Sequence, residues 1–202
     1  MVSHPDLCSL AASWLKRSLS AQGHGCQIAF TETRTSFLSG ESPDAIGFRV
    51  STRGYGGGST VVECKVSRSD FMADRKKPHR TDGAGMGRFR YFMVPAGLVS
   101  PLEVPDGWGL LHVGEKKRIE VIRGAALCIR DPGEYDRPHD AFSETLLLAN
   151  LLHRVGNADR LNARLRAADA RATYAARLLE KEREHSSNLQ RRLTTLAVEA
   201  YQ

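Results

Sequence analysis

The sequence predicts an α/β domain, with helices flanking a mixed central sheet, followed by a long helical extension. Three observations lead to this prediction. Short segments of alternating apolar residues, typical of β-strands, lie between segments with helical spacing of apolar residues. Prolines and charged residues interrupt this pattern shortly after Asp131. From Asn157 to the end the sequence has no proline and is rich in alanine, leucine and charge, which favours a long helix.

Length, charge and cysteine content set the broad class of protein. A chain of 202 residues, 41% of them hydrophobic, is sufficient for one compact domain with a core and an appendage. Its net charge of +6 fits a polyanionic partner such as nucleic acid. The four cysteines are too scattered for a zinc motif, and we expect reduced thiols. Without a signal peptide or a membrane-crossing run, the chain is expected to be cytoplasmic with no membrane partner.

The predicted elements of the first domain follow in order. Apolar residues at helical spacing predict a first helix over residues 5–22. Strands are predicted over residues 26–30, 44–51 and 59–66, and the glycine-rich stretch 54–58 joins the last two in a hairpin. A Ser67 cap starts a helix over residues 68–77, because Pro78 discourages continuation. Further strands are predicted over residues 88–94, 109–113 and 118–123.

The chain divides at the change in composition. The predicted boundaries are a domain over residues 1–131, a linker over 132–140 and a helical, coiled-coil-like extension over 141–202. Residues spaced alternately by three and four form a heptad stripe in this extension, namely Leu161, Leu165, Ala168, Ala172, Ala175, Leu179, Leu189, Leu193 and Leu196. The stripe predicts a homodimer through the C-terminal helix. Glu182 and Ser186 interrupt it, and alternatively mark a bend that folds the tail into a hairpin.

A carboxylate and a lysine share one face of the strand over residues 59–66. Alternate side chains of a strand point the same way, so Glu63 and Lys65 lie opposite Val62 and Cys64. If the hairpin turns near Tyr55, Asp44 falls close to both. Two carboxylates at one site repel each other, and a divalent cation removes that repulsion. The alternative is a solvated strand whose charges form surface ion pairs.

This arrangement suits hydrolysis of a phosphodiester. Mg²⁺ or Mn²⁺ prefers oxygen ligands and keeps several waters, one of which can attack a phosphodiester when metal and lysine activate it. Asp44 and Glu63 are the candidate metal ligands, Lys65 is the candidate water-activating residue, and Glu32 is a further candidate ligand.

Two motifs resemble a known superfamily. Pro43-Asp44 followed by Glu63-Cys64-Lys65 resembles the PD-(D/E)xK phosphodiesterases. The longer run over residues 61–76, with Ser67-Arg68-Ser69-Asp70-Phe71, is similar to MmcB-like DNA repair proteins and related phage-encoded proteins. The resemblance covers roughly residues 26–123 and implies a restriction-endonuclease-like fold. It also implies metal binding by Asp44 and Glu63, with Lys65 positioning or activating water.

The resemblance leaves some residues without a role. Asp70 and Asp74 match the family run, but helix capping and an exposed helix face explain them equally well. Basic residues follow the proposed site, and the candidates for phosphate contacts are Arg68, Lys76, Lys77 and Arg80. A solvated helix face is the simpler interpretation of the same residues.

The sequence therefore predicts a Mg²⁺- or Mn²⁺-dependent DNA nuclease in DNA repair, replication or phage DNA processing. The alternative is a catalytically silent nuclease fold that binds DNA or acts as an adaptor.

Overall fold

A computed structural model describes residues 2–31, 42–51, 56–74, 85–128 and 130–199 of the chain. The chain forms two compact units, Met1–Leu148 and Ala149–Gln202. The first unit holds a six-stranded sheet whose strand order in space is the order in sequence. Its strands are β1 Ile28–Thr31, β2 Ala45–Arg49, β3 Gly58–Cys64, β4 Phe89–Pro95, β5 Trp108–Val113 and β6 Ile119–Arg123.

The sheet is mixed, as the sequence predicted. β1, β2 and β3 pair antiparallel, β3, β4 and β5 pair parallel, and β6 returns antiparallel to β5. The parallel pairing of β3 with β4 requires a crossover, and helix α2, Arg68–Asp74, lies in that connection. The α/β class with helices flanking the sheet is confirmed.

Two apolar cores cover the two faces of the sheet. On one face, helix α1, His4–Lys16, buries Leu7, Trp14 and Leu15 against strand residues that include Val62 and Cys64. On the other face, a smaller core joins α2 to the later strands through Phe71, Phe92, Val94, Val99, Val104, Trp108 and Leu110. Alternation along β3 therefore sends Val62 and Cys64 toward α1, and Glu63 toward α2.

The first helix ends at Lys16, earlier than the predicted residue 22. Arg17 is extended, and a short 3₁₀ turn, Leu19–Ala21, carries the remaining apolar spacing. The Trp14 indole donates to the carbonyl of Gln22 at 2.9 Å, which ties the returning chain to the helix. At Gly23 an added Cβ would lie 2.4 Å from the Arg17 carbonyl oxygen. The close return of the backbone, which periodicity does not reveal, ends the helix.

A neutral histidine lies inside the α1 core. His24 contacts the Tyr91 hydroxyl at 2.7 Å and the Thr60 hydroxyl at 3.0 Å, one with each ring nitrogen. The Tyr91 oxygen also accepts from the Ala126 N–H at 2.8 Å, so its own proton is available to His24. Burial, followed by the charge of Arg49, lowers the pKa of His24 to about 3.

Residues after Asp131 take part in the first unit. Helix α3, Ala141–Val155, carries Glu144 in its first turn, and the Glu144 carboxylate is buried. That carboxylate accepts from the Ser59 hydroxyl at 2.6 Å and from the Gly87 N–H at 2.8 Å. Arg88 donates to Asp136, and the backbone of Arg137 donates to the Arg88 carbonyl. The segment predicted as a linker thus contacts the start of β4, and the first turn of α3 contacts the start of β3.

The second unit contains helix α4, Ala158–Glu199, which is 42 residues long. A helix of that length extends over about 63 Å. Glu182 and Ser186 lie within it, so the chain does not bend there as the hairpin alternative required. Stripe residues Leu165, Leu179 and Leu189 are exposed. The long C-terminal helix predicted from the sequence is confirmed. No helix in the described ranges has both the length and the apolar character needed to cross a bilayer.

Candidate active site

The register of the β2–β3 hairpin brings two carboxylates together. Ala45 pairs with Val62 and Ile46 with Val61, so the residue before Ala45 lies beside Glu63. That residue is Asp44, which immediately precedes β2. Its Oδ2 accepts a hydrogen bond from the Cys64 N–H at 2.8 Å. This bond fixes the carboxylate at the end of β3.

Lys65 lies between three carboxylates. Its Nζ is 3.2 Å from Glu63 Oε2, 3.5 Å from Asp44 Oδ2 and 3.6 Å from Asp74 Oδ1. The backbone of Lys65 is held as well, since its N–H donates to the Met93 carbonyl on the neighbouring strand. We name Asp44, Glu63, Lys65 and Asp74 the carboxylate–lysine cluster.

The cluster is largely removed from water. Glu63 is 3% exposed, Lys65 6% and Asp74 2%, whereas the side chain of Asp44 is 19% exposed. Burial alone would lower the pKa of the lysine, but the three carboxylates, Glu63 first, outweigh burial and raise the pKa of Lys65 above its usual value. Lys65 is therefore a stable cation at neutral pH. Asp44 provides the open side of the cluster.

Of the other predicted site residues, Arg68 lies in the part of the chain that the structure describes. Arg68 is exposed and forms a two-pronged ion pair with Glu103, which raises the pKa of Arg68. Its charge is thus already engaged by a carboxylate. Glu32, Lys76, Lys77 and Arg80 lie outside the described residues.

Asp70 and Asp74 separate into different roles. Asp70 is exposed in the first turn of α2, where its N–H donates to the Ser67 hydroxyl at 3.2 Å. That contact is the helix cap predicted from the sequence. Asp74 is buried one turn later and belongs to the cluster. Spacing within α2 did not reveal this difference, because helix periodicity does not show which face meets the end of β3.

A second group of side chains was missed by the sequence interpretation. His4 and Cys8, four residues apart on α1, lie beside Asp44, and His4 Nε2 is 3.4 Å from Asp44 Oδ1, the oxygen that does not contact Cys64. Side chains at this spacing share one helix face, which was the available signal. All four cysteines are free, and Cys8, Cys26 and Cys64 are buried. The neighbouring Cys8 thiol, together with burial, raises the pKa of Cys64 above its usual range.

Comparisons with known proteins give no family. No protein-family model matches the chain, and no curated protein matches it. Among solved structures, the chain is similar to a protein of unknown function from Silicibacter pomeroyi, with 22% sequence identity and a TM-score of 0.43. The match covers 81% of this chain and 91% of that protein. A likeness of this size says nothing about activity, so the chemistry of the side chains is the basis for a function.

Proposed function

We propose that this protein is a divalent-metal-dependent DNA nuclease of the PD-(D/E)xK type, with a restriction-endonuclease-like core. One observation carries the proposal. Asp44, immediately before β2, and Glu63, on β3, both lie within 3.5 Å of the Lys65 ammonium. The order of elements, a helix, three antiparallel strands, a crossover helix and a parallel strand, agrees with the order predicted from the sequence pattern.

The donor atoms of the cluster fit Mg²⁺ or Mn²⁺. Carboxylate oxygens are the ligands that these hard cations prefer, and the cluster offers three carboxylates. Asp44 and Glu63 would hold the metal, and Asp74 lies close enough to support them. Bound there, the cation would supply a Lewis acid and an activated water for phosphodiester hydrolysis. Asp44 has the most exposed carboxylate of the cluster and would face the bound substrate.

Lys65 acts as a donor and a fixed positive charge. The three carboxylates around it raise its pKa and favour its protonated form. Its ammonium donates to Glu63 and Asp44 and holds both carboxylates in place. During catalysis the same ammonium would orient a water and stabilise negative charge on the phosphate.

DNA is the proposed substrate on grounds of charge. The chain carries a net charge of +6, which favours a polyanion. Lys76, Lys77 and Arg80 remain the candidates for phosphate contacts. Arg68 contributes less, since Glu103 already binds its guanidinium. DNA repair, replication and phage DNA processing are the settings that the sequence resemblance suggests.

Helix α4 supports a proposal about assembly. Stripe residues Leu165, Leu179 and Leu189 are exposed, and a lone helix with such a stripe gains little from folding alone. Pairing α4 with a second copy would bury the stripe at a two-fold axis and produce a homodimer with two nuclease sites.

The test is cleavage by the full chain of plasmid, linear, nicked and branched DNA. We expect hydrolysis with Mg²⁺ or Mn²⁺ and none with a chelator. Binding of DNA without cleavage of any substrate, with both metals at saturation, would overturn the nuclease proposal in favour of a silent DNA-binding protein. Absence of both binding and cleavage would favour an adaptor.

A further inference from the structure

His4 and Cys8 form a compact donor group with Asp44. His4 Nε2 lies 3.4 Å from Asp44 Oδ1, and Cys8 Sγ lies 3.6 Å from His4 Nδ1 and 3.9 Å from His4 Nε2. One nitrogen, one sulfur and one oxygen thus lie within 4.8 Å of one another. Cys8 is 2% exposed, whereas the side chain of His4 is 37% exposed. Solvent therefore reaches this donor group at His4, whereas Cys8 is buried.

These spacings are those of ligands around one small cation. Metal–nitrogen and metal–oxygen bonds of about 2.1 Å at a tetrahedral angle place the two donors about 3.4 Å apart. A metal–sulfur bond of about 2.3 Å places sulfur and nitrogen about 3.6 Å apart. Measured from His4 Nε2, the nitrogen that faces Asp44, the distances are 3.4 Å to Asp44 Oδ1 and 3.9 Å to Cys8 Sγ, both within about 0.3 Å of these values. Cys8 Sγ lies nearer to the other ring nitrogen, Nδ1, so a turn of the exposed imidazole must accompany binding of one cation by Nε2 and Sγ.

Two separate elements hold the three donors. His4 and Cys8 lie one turn apart on α1, whose first turn is fixed by the bond from the Asp6 N–H to the Ser3 hydroxyl. Asp44 Oδ2 is held by the Cys64 N–H, which leaves Oδ1 directed toward His4. A preformed set of donors lowers the cost of ordering the ligands when a cation binds.

We propose that His4, Cys8 and Asp44 bind Zn²⁺ or a divalent cation of the same class, such as Co²⁺. Imidazole and thiolate ligands select such cations over Mg²⁺, whose preferred ligands are oxygen atoms. Binding replaces the proton of the Cys8 thiol with the metal, and that proton goes to bulk water. Three protein ligands leave the fourth position of the cation to a water.

Asp44 links this site to the carboxylate–lysine cluster. Its Oδ1 faces His4, while its Oδ2 contacts Cys64 N and Lys65 Nζ. A cation bound to Oδ1 would reduce the negative charge that the Asp44 carboxylate presents to the carboxylate–lysine cluster. The zinc-class site itself depends on His4 and Cys8 and not on Glu63, so it can be tested without any cleavage assay.

The experiment is a Co²⁺ titration of the reduced, tag-free full chain, followed by displacement with Zn²⁺. We expect a thiolate-to-cobalt charge-transfer band that saturates at one Co²⁺ bound to the thiolate site of each chain and that Zn²⁺ abolishes. Cys8→Ser should lose the band, and His4→Gln should bind at least about 10-fold more weakly, because loss of a direct ligand costs at least as much as loss of an outer one. The matched controls, Cys128→Ser and His153→Gln, change exposed residues outside the site and should titrate like the parent.

Glu63→Gln separates this proposal from the nuclease proposal. It should keep the cobalt band, since it removes a carboxylate of the cluster but none of the three donors. A parent without the band, or a band that survives Cys8→Ser, would overturn the proposal. Should Cys8→Ser fail to fold, as circular dichroism would show, His4→Gln decides: parental affinity for Co²⁺ in that variant overturns the site.

Discussion

Replacing Lys65 with methionine should strongly destabilise the metal-free protein. The ammonium lies 3.2 to 3.6 Å from three carboxylate oxygens and is almost fully buried. Methionine fills a similar volume but leaves the carboxylates facing one another without this cation. Breaking a buried ion pair by removing one partner costs about 3–5 kcal/mol, because the remaining charge stays desolvated. We expect Lys65→Met to lower the free energy of unfolding by about 3–5 kcal/mol.

Thermal and urea unfolding in the presence of a chelator measure the loss. In a protein of this size each 1 kcal/mol lowers Tm by about 2–4 °C, so the expected decrease is about 6–20 °C. Lys16→Met is the matched control, since Lys16 is exposed on α1 and its replacement should change stability by less than about 0.5 kcal/mol.

Divalent cations should then rescue the variant. A cation that binds only the folded state stabilises it by mass action, and a site without the competing ammonium should bind the cation more tightly. Mg²⁺ or Mn²⁺ should therefore raise the Tm of Lys65→Met more than that of the parent. A metal-free variant whose stability lies within about 0.5 kcal/mol of the parent would refute the arrangement of charges around Lys65.

Two further predictions concern other parts of the chain. His24 has a pKa of about 3 in the folded state and about 6.5 in the unfolded state. Its contribution to the free energy of unfolding is therefore complete above pH 6.5. As the pH falls toward 3 that contribution is lost, by up to about 1.4 kcal/mol per pH unit. Urea midpoints of parent and His24→Gln between pH 7.5 and 4.5 check this, and equal slopes would refute it. On α4, Leu179→Glu should convert a dimer to a monomer in light scattering at micromolar concentration, whereas Leu178→Glu, also exposed but outside the stripe, should not. A monomeric parent would contradict pairing through α4.

The strands of the sheet were predictable because local pattern determines them. Alternation of apolar residues and the glycines between residues 54 and 58 located β2 and β3 to within two residues at each end. A hairpin that turns near Tyr55 brings Asp44 close to Glu63, and the observed register, with Ala45 opposite Val62, does so. The central part of the candidate site thus follows from sequence-local chemistry.

Contacts between distant segments were not predictable in the same way. The entry of Asp74 into the cluster depends on how α2 packs on the sheet, through Phe71 and Phe92. Glu144 is buried because Ser59 and Gly87 bind its carboxylate across more than fifty residues of chain, whereas its sequence context indicates only an ordinary helix start. The donor group of His4 and Cys8 likewise requires Asp44 from another element.

The most direct test of the central claim is single-turnover DNA cleavage by Glu63→Gln. Glutamine keeps the size of the side chain but removes its charge, and Glu115→Gln is the matched control because Glu115 is exposed in the β5–β6 turn. Loss of a metal ligand removes several kcal/mol of transition-state stabilisation, which corresponds to a decrease of at least about 100-fold. We predict that Glu63→Gln loses cleavage to this extent at saturating Mg²⁺ while Glu115→Gln cuts like the parent. Cleavage by Glu63→Gln at the parental rate would contradict the assignment of the carboxylate–lysine cluster as the active site.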